Sequence, residues 1–307
     1  MTAGAVLSPR AGDPGAIGLW DDSDVERTRR RRLDQLLVDR GLAESRTRAQ
    51  ALVLAGRVRV GAGDGARRDL KSGDMVAEDV GITLDVGPDH VSRGGDKLAG
   101  VLDPLGVDPS GRVCVDVGAS TGGFTDVLLR RGALRVHAVD VGRGQLADRL
   151  VRDPRVVVHD RVNARSLAPA TLGEPVSLAT VDVSFISLRL VLAAIAGCLA
   201  DDGGPIVALV KPQFEAGRSR VRDGVVRDAL VHRDVVEGVA AHAASIGLLP
   251  TDLHASPILG PAGNREFFLR IDVPRGWEPP AAPAGRPADP SLVDPALLGR
   301  IVEVTAG

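Results

Sequence analysis

The 307-residue chain predicts an α/β protein: a Rossmann-like, mainly parallel sheet with helices on both faces, preceded by a small α+β unit. Three observations carry that expectation. Between Arg112 and Val210 short β-branched runs alternate with helix-length segments, the pattern of β-α-β units. The first of these runs ends in a glycine-rich loop, DVGASTGGF (Asp116 to Phe124), that opens a helix. Ahead of them, Arg27 to Asp74 holds 13 Lys or Arg against 6 Asp or Glu, a local net of +7. The whole chain carries −2, so the remainder is about −9. A basic module on an acidic body points to a polyanion partner for the module.

Residues 1–26 are rich in Gly, Ala, Pro and Asp and read as a disordered tail. Residues 27–87 form the small unit. Leu33, Leu36, Leu37 and Leu42 recur at helical spacing, with Gly41 as a stop. Ser45 is suited to cap a second helix running through Ala55, and RVRV (Arg57 to Val60) alternates as a strand. KSGDMV (Lys71 to Val76) reads as a turn into another strand. Residues 88–94 read as an interdomain linker, and residues 95–273 as the large domain. Its strands are expected at 112–118, 135–142, 155–160, 176–183 and 205–210, with two more near 250–255 and 266–273. Helices are expected near 123–131, 188–199 and 227–246. Six prolines between Pro274 and Pro290 mark a linker, and residues 274–307 form a tail that adds at most a short helix.

Composition excludes several classes. Cys114 and Cys198 lie in apolar surroundings and read as core residues, so a reducing cytoplasm is the expected compartment. A signal peptide or membrane span is not expected, since the sequence holds neither the apolar segment of the one nor the length of the other. The six histidines show no metal-ligand spacing, and no metal is expected. Aromatic residues are 2% of the chain, so base stacking is not expected to be the main mode of contact with a nucleic acid.

The loop Asp116–Phe124 suits a nucleotide, because its glycines let the backbone approach a ligand closely. A dinucleotide fingerprint is absent, since Ala119 and Ser120 follow Gly118, and so is the Gly-Lys-Ser/Thr of a phosphate loop. What remains is the looser glycine loop of S-adenosylmethionine enzymes. An acidic residue closing the second strand should then grip the ribose hydroxyls, and Asp140 stands at that place.

Four further charged residues fall where strands end or begin at the expected crevice: Asp182, Lys211, Glu266 and, upstream of the first strand, Lys97. Two lysines flanked by two carboxylates suit deprotonation of a sugar hydroxyl. A lysine serves as base when burial or a second cation favours the free amine, so the two lysines are expected side by side with the carboxylates fixing them. The apolar strand PIVALV finishing on Lys211 is otherwise hard to explain, because lysine is seldom buried without a task.

The N-terminal pattern, carried by RLDQLL, GLAESRTRAQALVLAGRVRV and KSGDMV, resembles the S4-type RNA-binding domain. That resemblance implies that Arg31, Arg46, Arg48 and Arg57 lie near RNA phosphates, with strongly salt-dependent binding. From Arg31 to about Asp272 the chain resembles the TlyA family of ribosomal RNA 2′-O-methyltransferases, once labelled haemolysins. The resemblance rests on VSRGGDKL, DVGASTGGFTDVLLRRGA, VDVGRGQLA, DPRVVVHDRVNAR, VDVSFISL, VKPQFEAG, GVVRDALVH and SPILGPAGNREFF. Its catalytic part is similar to the FtsJ-type ribose methyltransferases, a class I methyltransferase fold, and implies a tetrad at Lys97, Asp182, Lys211 and Glu266. It further implies that S-adenosylmethionine meets Asp116, Gly118, Ala119, Ser120, Thr121, Gly122, Phe124, Asp140, Asn163 and Asp182. The implied substrate is cytidine ribose in small- or large-subunit ribosomal RNA of assembled subunits, acted on by a monomer. One departure is the linker, often Arg-x-Trp-Val in mycobacterial members and PDHV here (Pro88 to Val91). A pseudouridine synthase would need a mostly antiparallel sheet, which the β-α alternation opposes. An RNA-binding protein with an inactive methyltransferase fold, and a membrane-active haemolysin, stand as the alternative readings.

Overall fold

A computed structural model describes residues 29–54, 58–61, 66–67, 70–84, 90–280 and 289–306. Two compact units, residues 1–86 and 87–307, divide the chain. The expected tail, residues 1–26, and Arg57 lie outside the described residues.

In the first unit, strand β1 (Arg30–Arg32) leads directly into helix α1 (Leu33–Asp39), followed by α2 (Arg46–Leu54). Leu33, Leu36 and Leu37 of α1 meet Ala49 and Val53 of α2 in a small core, as their spacing predicts. Gly41 ends the first helix at a left-handed φ of +68°, and Ser45 Oγ accepts the Arg48 amide at the start of the second. Strands β2 (Val58–Val60), β3 (Met75–Ala77) and β4 (Ile82–Leu84) follow. β2 pairs antiparallel with β4, whereas β3 pairs antiparallel with β1. β1 is a strand the sequence reading did not contain. A run of arginines carries no period-2 signal, and only the backbone of Met75–Ala77 makes it one.

The second unit opens with α3 (Arg93–Ala99) and proceeds through β5 (Val113–Val117), α4 (Gly123–Arg130), β6 (Arg135–Asp140), α5 (Asp148–Val151) and β7 (Val156–Asp160). After α6 (Pro169–Leu172) come β8 (Leu178–Val181), α7 (Leu192–Ala196), β9 (Gly204–Val210), α8 (Pro212–Glu215), α9 (Ala229–Ser245), β10 (Leu249–Ala255), β11 (Phe267–Val273) and α10 (Pro295–Ala306). One seven-stranded sheet has the order β10-β11-β9-β8-β5-β6-β7. β9, β8, β5, β6 and β7 are parallel, and β11 runs antiparallel to both its neighbours. The chain leaves β5 in one direction for β6 and returns on its other side through β8. The crevice of the sheet is therefore at the carboxyl ends of β5 and β8.

Burial on both faces explains the apolar runs. In β9, Ile206, Ala208 and Val210 face a cluster with α7, α9 and α10, while Val207 and Leu209 face one with α3 and α4. A strand with two buried faces reads as a near-continuous apolar run until it ends. The helix expected at 188–199 is shorter: Ser187 caps a 3₁₀ turn, Leu188–Leu190, and α7 begins only at Leu192. Val191, at φ −121°, interrupts the run, and a β-branched residue at that joint does not favour helix. The C-terminal helix is longer than expected. Leu297 and Ile301 of α10 bury into the same cluster as α9, so its amphipathic face makes it part of the sheet's cover.

Candidate functional site

The loop after β5 is built by its glycines. Gly118 has φ +87°, and a Cβ there would lie 2.6 Å from the backbone oxygen of Asp182 at the end of β8. Only glycine lets the two strand ends close in this way. Ser120 also takes a left-handed φ of +48°, held by its amide, which donates to Asp140 Oδ2 at 2.9 Å. Gly122 faces inward, where a Cβ would meet Leu150 Cδ1 at 2.2 Å. It lines neither cleft described below and shapes the loop from beneath.

Two neighbouring clefts open around this loop. The larger, about 580 Å³, is bordered by Asp116, Gly118 to Thr121 and Phe124 on one side. Lys97, Asp182, Lys211 and Glu266 border it on the other. The smaller, about 450 Å³, is bordered by Gly118, Ser120, Asp140, Asn163 and Asp182, with Val139, Val141, Val162 and Ile186 as apolar walls. Gly118, Ser120, Asp182, Ser184 and Phe185 belong to both. Asp140 accepts from the amides of Ser120 and Gly142, one on each carboxylate oxygen. A carboxylate has about four lone-pair positions, so two remain for a ligand diol. Asn163 caps the turn Ala164–Ser166 by accepting the Arg165 amide at 3.0 Å.

Each lysine takes a carboxylate partner, rather than standing only beside the other lysine. Lys97 Nζ donates to Glu266 Oε2 at 2.5 Å, and these side chains are 8% and 2% exposed. Lys211 Nζ lies 2.6 Å from Asp182 Oδ1 and donates to Ser184 Oγ at 2.8 Å. The contact with Asp182 is a charge contact. The ammonium aims its hydrogen bond at Ser184, and Asp182 Oδ1 is left without an aligned donor. Pro212 turns the chain out of the sheet as the first residue of α8, a position that tolerates its missing N–H.

Asp116 borders the cleft, but its carboxylate is wholly buried and turned away. Thr125 donates to its Oδ2 from both amide and hydroxyl, and Thr180 Oγ1 reaches Oδ1 at 3.2 Å. Burial pushes its pKa up to about 7, assisted by the nearby Asp182 charge and opposed by the Thr125 hydrogen bonds. A carboxyl raised in this way is protonated in the folded state and ionised in the unfolded state between about pH 4 and 7. Stability from this group is thus complete below pH 4 and is lost as pH rises through 7. Asp116→Asn should fold and keep the hydrogen bonds to Thr125 and Thr180. Relative to wild type it should gain a few kcal/mol in urea unfolding at pH 8 over pH 4; equal values at the two pH values would sink the assignment.

The sequence reading missed several side chains at the site. Ser184 holds Lys211, and Asn264 ties the cleft wall together by accepting the Val226 amide and donating to Gly224 O. Phe185 is 90% exposed at φ +64°, with its ring 5.0 Å from that of Phe214. Gln213, Phe185, Phe214 and Val221 border the large cleft and also an outer recess that they form with Gly217. The chain has only five phenylalanines, and two of them sit inside VDVSFISL and VKPQFE. That placement was the available signal.

In the first unit the expected RNA-contacting arginines are held differently. Arg46 Nε donates to the buried Asp34, which also accepts from Arg32 and Gln50. Arg31 bonds to Asp39 and pairs with Glu78 at 3.3 Å. Arg48 is exposed.

A glycine loop at the switch point of a doubly wound sheet, facing a lysine–carboxylate cluster at the neighbouring strand ends, defines a methyltransferase. The model of the FtsJ-like methyltransferase family matches residues 90–272, and that of the S4 domain matches residues 31–61. The 16S/23S rRNA (cytidine-2′-O)-methyltransferase TlyA of Mycobacterium tuberculosis is 48% identical over 78% of this chain and 89% of its own length. YqxC of Bacillus subtilis, named as a candidate rRNA methyltransferase, is 45% identical over 80% of this chain and 87% of its own length. A solved structure of a hemolysin-named protein from Streptococcus thermophilus superposes with a TM-score of 0.63 at 39% identity, covering 91% of this chain and 95% of the other. The chain therefore belongs to the TlyA group of FtsJ-like methyltransferases and carries an S4 domain.

Proposed function

We propose that this protein transfers a methyl group from S-adenosylmethionine to the 2′-hydroxyl of cytidine in 16S or 23S ribosomal RNA of assembled subunits, as a monomer in the cytoplasm. One observation carries the reading: Lys97–Glu266 and Lys211–Asp182 share a single cleft with the glycine loop. The smaller cleft fits the cofactor, with apolar walls for an adenine and free lone pairs on Asp140 for a ribose diol. S-adenosylmethionine supplies an electrophilic methyl group on a sulfonium sulfur. The residues of the chain do the rest. Lys211, as the free amine, would take the hydroxyl proton as the O–H bond breaks, while the O–CH₃ bond forms at the expense of the S–CH₃ bond and the neutral thioether S-adenosylhomocysteine leaves with the electron pair on sulfur. The resulting ammonium charge is balanced by Asp182 at 2.6 Å. Lys97, fixed by Glu266, holds the oxygen as it becomes anionic. The glycine loop and Phe124 hold the cofactor side of the line of attack, since alignment of nucleophile, methyl and sulfur is most of what the reaction demands. The exposed Phe185 ring offers a face on which an extruded base can stack.

Residues 27–87 are the RNA-reading domain in this proposal and residues 95–273 the transfer domain, joined by 88–94; the segment 274–307, expected as linker and tail, adds α10 to the cover of the transfer domain's sheet. Arg31, Arg46, Arg48 and Arg57 meet phosphates. Arg48→Ala should weaken binding to ribosomal subunits and reduce the slope of log affinity against log salt by about 1. An unchanged slope in a filter-binding titration would remove Arg48 from the contact set. The decisive test is transfer of labelled methyl groups to purified small and large subunits, followed by mass mapping of ribose methylation. No incorporation into either subunit overturns the reading.

A further inference from the structure

Gln213 is the first side chain beyond Lys211 on α8 that faces the cleft, and nothing in the proposed chemistry uses it. Its Nε2 lies 3.5 Å from Glu266 Oε1. A carboxylate oxygen can only accept, so the amide nitrogen is the end that faces Glu266. The amide oxygen is then the other end, and it is buried without a hydrogen-bond partner. A buried acceptor left unpaired forfeits its hydration with nothing in return. Folds keep few such atoms, and each one calls for a physical explanation. The same residue borders the cleft that holds Lys97, Lys211 and Glu266, and with Phe185 and Phe214, which border that cleft too, it continues into the outer recess. A nucleotide whose 2′-oxygen lies at the lysines has its own base as the next group outward. Gln213 is thus placed at the joint between ribose and base of one nucleotide.

Resting on the function proposed above, we infer that Gln213 selects cytidine: its Oε1 accepts a hydrogen bond from the exocyclic 4-amine of the target base lying against the Phe185–Phe214 ring pair. Uracil presents a carbonyl oxygen at that position, and two acceptors repel. Glu266 thereby has two tasks, fixing Lys97 through Oε2 and setting the direction of the Gln213 amide through Oε1. A site built to bond a polar group rejects the analogue that lacks it far better than an apolar pocket rejects a shape.

The test uses the full chain, with the methylated nucleotide first mapped on subunits treated with wild-type protein. Subunits are then reconstituted from transcripts carrying either cytidine or uridine at that nucleotide, and kcat/KM is measured on both. Gln213→Met keeps the length of the side chain and removes the amide, with Gln213→Leu as a second variant should the first fold poorly. The inference expects wild type to favour cytidine by tenfold or more. Each variant should lose most of that ratio, through a slower reaction with cytidine and, with the repelling acceptor gone, a rate on uridine equal to or above that of wild type. Equal losses on both transcripts would show a positioning role and overturn the inference, as would an undiminished ratio. Should wild-type protein methylate no ribose at all, the function reading itself fails, and that outcome is visible before any Gln213 variant is made.

Discussion

Lys211→Ala should lower methyl transfer at least ~10³-fold while leaving the affinity for S-adenosylmethionine within about threefold. The size follows from the two tasks the side chain combines. Proton transfer by a positioned group contributes roughly 10²–10⁴-fold, and loss of one preorganised charge at a developing oxyanion costs about 10²–10³-fold. Affinity should survive because Asp140, Asn163 and the apolar walls of the smaller cleft lie apart from the lysine, which borders only the larger one. The fold should survive as well. Removing Lys211 leaves Asp182 with 22% of its side chain open to solvent, and water can take the place of the ammonium. Lys97→Ala is a less clean experiment, since it strands Glu266, 2% exposed, without its cation. An uncompensated buried charge of that kind costs about 3–5 kcal/mol. Single-turnover transfer and calorimetric titration of the cofactor separate the two quantities. Turnover retained in Lys211→Ala would remove the lysine from the chemistry, and lost cofactor binding would make it part of the cofactor site instead.

The parts of this molecule that were legible in the sequence are those written in local pattern. β9 reads as buried because its apolar run is continuous, and its terminal lysine is conspicuous for the same reason. The loop Asp116–Phe124 shows itself by glycines that two strand ends require. The four charged cleft residues emerged from an argument about strand ends, which needs only the order of elements. What was hidden depends on partners distant in the chain. β1 is a strand because Arg30–Arg32 meets residues about 45 positions later. The helix carrying Lys97 was not expected, and its first two residues were read as linker, since Gly94 and Gly95 are poor helix formers. Ser184, Phe185 and Gln213 gain meaning only when the ends of β8 and β9 stand side by side. Likewise Arg46 reads as a free surface cation until the buried carboxylate of Asp34 is seen behind it.

That carboxylate supports the second large effect: Asp34→Ala should unfold the first unit while the second remains intact. Asp34 stands in the first turn of α1 and is fully covered. It accepts from Arg32 Nε and Nη2, Arg46 Nε and Gln50 Nε2, all between 3.0 and 3.1 Å. It joins β1 and α1 to α2 in a unit whose core is a few leucines and valines. Removing the acceptor from such a cluster costs about 3 kcal/mol or more, a large share of what so small a core supplies. The Arg32 guanidinium, helped by Gln50 and Arg46, holds the carboxyl well below its ordinary range against the opposing effect of burial. The sign of the acid response follows. A depressed carboxyl contributes stability above its unfolded value near 4 and loses it as pH falls below that. Wild-type protein should therefore lose protection in the first unit on acidification, and Asp34→Ala should show the loss at neutral pH. Hydrogen exchange on the full chain resolves both, with α1 and α2 exchanging faster and β5, β8 and β9 unchanged. The functional effect should exceed that of Arg46→Ala, because the carboxylate gathers Arg32, Arg46 and Gln50, so its loss releases all three while Arg46→Ala removes one. Cofactor affinity retained alongside lost subunit binding is the expected signature. Protection of α1 and α2 equal to that of wild type would mean the buried carboxylate does not hold this unit together.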